Sequence, residues 1–139
     1  MNKKPKDNKF HVGNSADGKH YWITPPELYK QLDDEFHFDF DPCPYPQTFD
    51  SLERKWGKMN YVNPPFRGGS LMPFIHKAIQ EQKKGNSSFL IFNSTSALNT
   101  LLEAGAQPRS MGRVKWLDCE TKQEWKSPSN TTGYFLRGL

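Results

Sequence analysis

Met59-Asn60-Tyr61-Val62-Asn63-Pro64-Pro65-Phe66 is the stretch from which the rest of the chain is best read. Met59 to Val62 is a short apolar strand. The prolines stop it, because proline has no amide hydrogen to give to a ladder. Each proline also biases the residue before it to extended backbone, so Asn63 and Pro64 are kept out of the helical region. The Asn63 amide and the neighbouring carbonyls are then presented at a strand end, with Phe66 beside them. Such a group can accept hydrogen bonds from an exocyclic amine while the ring stacks on a flat base. A plain proline-terminated turn with Phe66 in the core suits the tetrapeptide equally well, and the neighbouring segments must decide.

Downstream, Arg67 to Ser70 reads as a turn. A helix is expected from Leu71 to Lys84, with Phe74, Ile75, Ala78 and Ile79 inward and Gly85 as its stop. Phe89 to Phe92 is a fully apolar strand ending in Asn93 to Ser96, where Ser96 is placed to cap a helix reaching Gly105. Val114 to Leu117 and Thr132 to Leu136 read as strands, with another short one near Glu124 to Lys126. Upstream, Phe36, Phe38 and Phe40 alternate with His37, Asp39 and Asp41, the period of a strand with one apolar face. Pro42, Pro44 and Pro46 end it near Asp41, and Phe49 to Trp56 suits a short helix. Before it, Thr24-Pro25-Pro26-Glu27 has the capping-box pattern, with Thr24 as N-cap and a helix running to Glu35.

Strands alternating with helices predict an α/β fold: a compact, mostly parallel sheet with antiparallel late strands and helices on both faces. Ligands of such open sheets sit beyond the carboxyl ends of the strands. Asp39 and Asp41, Asn63, and Asn93 to Ser96 all fall at predicted strand ends, which favours a site there.

Composition bounds the partners. The chain has 139 residues, room for about one domain, and a net charge of +4, which favours a polyanion. Residues 1–20, with Lys3, Lys4, Lys6 and Lys9, read as a flexible basic arm, either solvated or touching phosphate, and 21–139 as a single domain. No run approaches a membrane span and no signal-peptide pattern is visible, so a cytoplasmic protein without membrane contact is expected. Cys43 and Cys119 lack a CxxC partner or a histidine at zinc-ligand spacing. They read as reduced thiols, a disulfide being the alternative, and no metal is expected. His37 and His76 have no nucleophile or metal constellation around them and read as structural.

Taken in order, Trp22-Ile23-Thr24-Pro25, Phe38-Asp39-Phe40-Asp41-Pro42-Cys43, Asp50-Ser51-Leu52 leading to Trp56, Asn63-Pro64-Pro65-Phe66, Phe74 to Ala78 and Gly112-Arg113-Val114 resemble the phage-type DNA adenine-N6 methyltransferases. These belong to the class I S-adenosylmethionine-dependent superfamily, and the resemblance spans Tyr21 to Arg137. It implies a trimmed Rossmann-like sheet, S-adenosylmethionine as cofactor and double-stranded DNA with a flipped adenine as partner, in the host cytoplasm if the chain is phage-encoded.

By the same resemblance, Asn63, Pro64, Pro65 and Phe66 form the catalytic loop, with Phe66 replacing the commoner tyrosine. The Asn63 side-chain oxygen and the Pro64 carbonyl would accept hydrogen bonds from the target amine, and the ring would stack on the base. Trp22, Thr24, Pro25, Asp39, Asp41, Cys43 and Asp50 fall on the cofactor side. Arg67, Arg113 and Lys115 are the candidate DNA contacts.

The chain also departs from the pattern. Prolines and Cys43 stand where a glycine-rich loop is usual, and the interval from Asp41 to Asn63 leaves no room for two further strands with their helices. The acid that normally holds the cofactor ribose therefore has no clear counterpart, and the first strand is an exposed edge open to a homodimer partner. Cytosine N4, RNA adenine or a protein glutamine remain alternative methyl acceptors, and a catalytically degenerate nucleic-acid-binding fold is the alternative outside catalysis.

Overall fold

The computed structural model describes residues 21–65, 71–125 and 129–139. The basic arm, Phe66, Arg67 and Lys126 lie outside the described residues, so the expectations placed on them stay with the sequence.

Four strands make the main sheet: β2 (Met59–Val62), β3 (Ser87–Phe92), β4 (Gln107–Gly112) and β6 (Thr131–Leu136). Their order is β2-β3-β6-β4. β2 and β3 run parallel, with Tyr61 opposite Phe89, while β6 runs antiparallel to both β3 and β4. On the outer side of β2, Phe40 makes a single parallel bridge to Asn60. Phe40, β2, β3 and β4 consequently point the same way, and their carboxyl ends share one edge of the sheet. A two-residue pair, β1 (Trp22–Ile23) with β5 (Leu117–Asp118), completes the strands.

The period-two alternation of the strands sorts their side chains into two cores. Met59, Tyr61, Phe89, Ile91 and Phe135 join Leu28, Tyr29 and Leu32 of helix α1 (Pro26–Phe36), together with Trp22, Val114 and Trp116. Val62, Leu90, Phe92, Tyr134 and Leu136 face helix α2 (Leu71–Lys83) and helix α3 (Leu98–Glu103) through Ile75, Ala78 and Leu101. The protein is thus mixed α/β with helices on both faces. Each fully buried large side chain contributes about 1.5–3 kcal/mol, so the two cores together hold the sheet between its helices. No helix among the described residues is long and apolar enough to cross a membrane.

Several expectations are corrected. Phe36, Phe38 and Phe40 do not share one face of a strand. Phe36 is the last residue of α1, and His37 ends the helix in the left-handed conformation (φ 56°). Phe36 and Phe38 pack in the α1 core, whereas Phe40 packs in the other. Thr24 does not cap α1. The cap position is Pro25, with no side-chain cap, and Pro26 opens the helix. Ala97 rather than Ser96 precedes α3, and Ser96 hydrogen-bonds Ser94 instead. Phe49 to Trp56 contains only a 3-10 turn, Ser51–Glu53. The strand expected at Val114 is displaced: β4 precedes it, an exposed polar edge strand, and β5 follows at Leu117. α2, β3 and β6 lie within two residues of their expected ends, with Gly85 at φ 94° closing α2.

Candidate functional site

Pro64 and Pro65 release the chain from β2 at the carboxyl edge, so the side chain of Asn63 lies beside β1 rather than in the ladder. Asn63 Nδ2 donates to the Trp22 carbonyl at 2.7 Å. That bond fixes which way the amide points. Its Oδ1 is buried and has no hydrogen-bond partner among the described residues. A buried acceptor left unmatched costs about 1–3 kcal/mol, so a ligand donor arriving there recovers a penalty already present in the fold.

Asn63 lines a cavity of about 310 Å³ whose other walls include Trp22, Thr24, Pro26, Tyr29, Asp41, Cys43 and Tyr61. Asp41 leaves the sheet next to β2, directly after the Phe40 bridge, and its Oδ1 accepts the Cys43 amide hydrogen at 2.9 Å. Burial raises the Asp41 carboxyl to about 6, outweighing the lowering by that hydrogen bond. Burial and then the Asp41 charge raise Cys43; burial also raises Tyr29, where Asp33 and Asp41 add smaller effects. In Tyr61 burial is again the largest cause, and its phenol shares a hydrogen bond with the Thr24 hydroxyl. Three groups therefore sense the same negative field. A cation entering the cavity meets a carboxylate that burial has left short of solvation.

Thr24 sits at this cavity for a reason that is not capping. Because its hydroxyl is engaged with Tyr61, the first turn of α1 carries no side-chain cap, and Pro26 and Tyr29 of that turn line the cavity. Open amides at the start of an eleven-residue helix suit a carboxylate.

A second cavity, about 170 Å³, shares Tyr21 with the first and is lined by Phe49, Asp50, Ser51, Leu52, Pro65 and Phe74 among others. Asp50 Oδ1 caps the 3-10 turn through Leu52 N at 3.0 Å. Gln47 is buried and organises the proline-rich loop: its Nε2 donates to the carbonyls of Pro42 (3.2 Å) and Phe49 (2.9 Å).

Asp39 belongs to neither cavity. Its carboxylate accepts the amides of Met59 (3.0 Å) and Lys58 (3.2 Å), and a Cβ on Gly57 would run into it. Asp39 therefore fastens the entry of β2, at the end of the strand opposite Asn63. Pro25 flanks the first cavity without being among its walls, Pro64 is buried, and Pro65 reaches the second cavity. Arg113 and Lys115 are exposed just past the carboxyl end of β4, on the same edge as Asn63. Arg109, within β4 itself, is instead clamped to Glu35 by two bonds of 2.8 and 2.7 Å.

Sequence reasoning passed over Tyr61, Tyr29, Gln47 and Ser51. Tyr61 was within reach, since it lies two residues before Asn63 and period two places both on one face. Both cysteines are buried and neither is in a disulfide, and no group of His, Cys, Asp or Glu among the described residues is arranged to hold a metal. No protein-family model, curated protein or solved structure matches the chain.

Proposed function

We propose that the protein is an S-adenosylmethionine-dependent methyltransferase acting on the N6 amine of adenine in DNA. The observation that carries this reading is the buried, unmatched Oδ1 of Asn63, held in place by Trp22, across a cavity from Asp41. A trimmed Rossmann-like sheet is part of the same proposal. It is supported by the parallel set Phe40, β2, β3 and β4, into which the antiparallel β6 is inserted.

The residues fit the cofactor's methionine end. Asp41 offers negative charge to a sulfonium or ammonium group, and the uncapped first turn of α1 offers amides to a carboxylate. The cofactor, when bound, supplies a methyl group made electrophilic by the positive sulfur. Asn63 Oδ1 accepts an N–H of the amine and draws the nitrogen lone pair out of conjugation with its ring. The fixed amide means that this acceptor needs no reorganisation when the amine arrives. Tyr61, kept un-ionised by burial, holds Thr24 and with it the wall nearest the helix start. The methylated nitrogen would be positively charged and acidic enough to lose its extra proton to water, so no strong base is required there.

The nucleic-acid part rests on the net charge of +4 and on Arg113 and Lys115 beside the edge that carries the site. Incubating the protein with cofactor labelled in the methyl group and with unmethylated DNA, RNA or protein, then digesting each, identifies the acceptor. N6-methyladenine from DNA is the expected product. N4-methylcytosine or labelled RNA would move the acceptor while keeping the chemistry. Tight cofactor binding with no labelled product on any of them would replace the enzyme reading with a binding module.

A further inference from the structure

The first cavity has a cation-attracting wall and a place for a carboxylate, which accounts for one end of the cofactor only. Resting on the methyltransferase reading, we propose that the second cavity takes the adenosine end, with the ribose hydroxyls on Asp50 and the purine against Ser51, Pro65 and Phe74. A typical member of the superfamily uses an acid from a further strand for this purpose. The interval between Asp41 and Asn63 has no such strand, and the described segment between them is loop and a 3-10 turn before β2.

Four observations carry the assignment. Tyr21 lines both cavities, so the two lie side by side. Ser51 is 2% exposed, yet its Oγ has no hydrogen-bond partner among the described residues, an unusual cost for a buried hydroxyl. A hydroxyl both donates and accepts, which matches the alternating donors and acceptors on a purine edge. Asp50 is exposed, and among the described residues its carboxylate accepts from Leu52 N through one oxygen. A carboxylate has about four acceptor sites, enough for two vicinal hydroxyls. Pro65 and Phe74 supply apolar surface for a flat ring. The same carboxylate argues against a phosphate occupant, so a nucleotide of the DNA chain is excluded on charge, whereas the adenosine end of the cofactor carries no phosphate.

Calorimetric titration of the full chain tests this with two probes, S-adenosylhomocysteine and 5′-methylthioadenosine, the second lacking the amino-acid end. Asp50→Asn keeps the cap of the 3-10 turn, because asparagine caps as well as aspartate, and circular dichroism checks that the fold is intact. Loss of charge-assisted bonds should weaken both probes by the same factor, about tenfold or more. Ser51→Ala should weaken both as well, without lowering the melting temperature of the free protein. Asp41→Asn should leave 5′-methylthioadenosine unaffected while weakening S-adenosylmethionine. If the wild type binds both probes and Asp50→Asn and Ser51→Ala bind them equally well, this assignment is overturned and the methyltransferase reading stands. If the wild type binds neither probe nor S-adenosylmethionine, both fall.

Discussion

Asn63 and Asn93 end neighbouring parallel strands at the same edge of the sheet, yet the molecule uses them in opposite ways. Asn93 Oδ1 accepts from the Trp116 indole at 3.3 Å and from the Thr131 hydroxyl, and its Nδ2 donates to Ser129 at 3.2 Å. It ties β3 to the start of β6 and to the buried indole of Trp116. Asn63 makes one bond through its nitrogen and leaves its oxygen unmatched at a cavity. Identical side chains thus mark where the edge is closed by hydrogen bonds and where an acceptor is left unmatched at a cavity. The difference comes from what packs above each: a fully buried Trp116 over Asn93, and the two-residue strand β1 over Asn63.

Substitutions can break that contrast. Asn63→Ala should lower methyl transfer to DNA by about a thousandfold, in the range seen when one preorganised oxyanion donor is removed, with little change in melting temperature. The measurement is turnover at matched folded fraction.

Asp41 sharpens the contrast through pH. Its carboxyl stands at about 6 in the fold against an ordinary 3.8, so the folded state holds this proton more tightly than the unfolded chain. The stability from this group is fully present below about 3.8 and is lost as pH rises through about 6, amounting to about 3 kcal/mol at most. Asp41→Asn should therefore raise stability at pH 7 relative to the wild type, flatten the stability profile between those values, and weaken S-adenosylmethionine. Chemical denaturation at a series of pH values reads the first two effects and calorimetry the third.

Asn93→Ala should act in the opposite sense to Asn63→Ala. It deprives the buried Trp116 and Thr131 donors of their shared acceptor, costing about 1–3 kcal/mol, while activity per folded molecule stays close to that of the wild type. The smallest effect belongs to Glu35→Gln. The Arg109–Glu35 pair is about half exposed, with side-chain exposures of 43% and 46%. Its loss should cost no more than about 1 kcal/mol, and less still in high salt.

Much of this edge was legible in the sequence because its signals were local. Pro64 and Pro65 announce where β2 stops, and the apolar runs of β3, β6 and α2 announce where those elements lie. β4 was not legible. Gln107-Pro108-Arg109-Ser110 is exposed, so it has no apolar face to alternate, and its strand character comes from pairing with β6. Thr24 misled in another way. Its sequence context is that of a helix cap, but Tyr61, distant in sequence, claims the hydroxyl. Asp39 and Asp41 look equivalent in an alternating stretch, and only the position of β2 separates a carboxylate that fastens backbone from one that lines a cavity. Gln47 carries no sequence signal, and Ser51 appears only as part of Asp50-Ser51-Leu52 with no role of its own, since their environments are made by how the proline-rich loop folds back.

The most direct measurement is a single-turnover assay with excess protein, methyl-labelled S-adenosylmethionine and duplex DNA, comparing the wild type with Asn63→Ala. The account predicts label in N6-methyladenine with the wild type and a rate lower by about three orders of magnitude in the variant, which still binds cofactor. Equal rates in the two proteins, or cofactor binding by the wild type with no label in any nucleic acid, would contradict it.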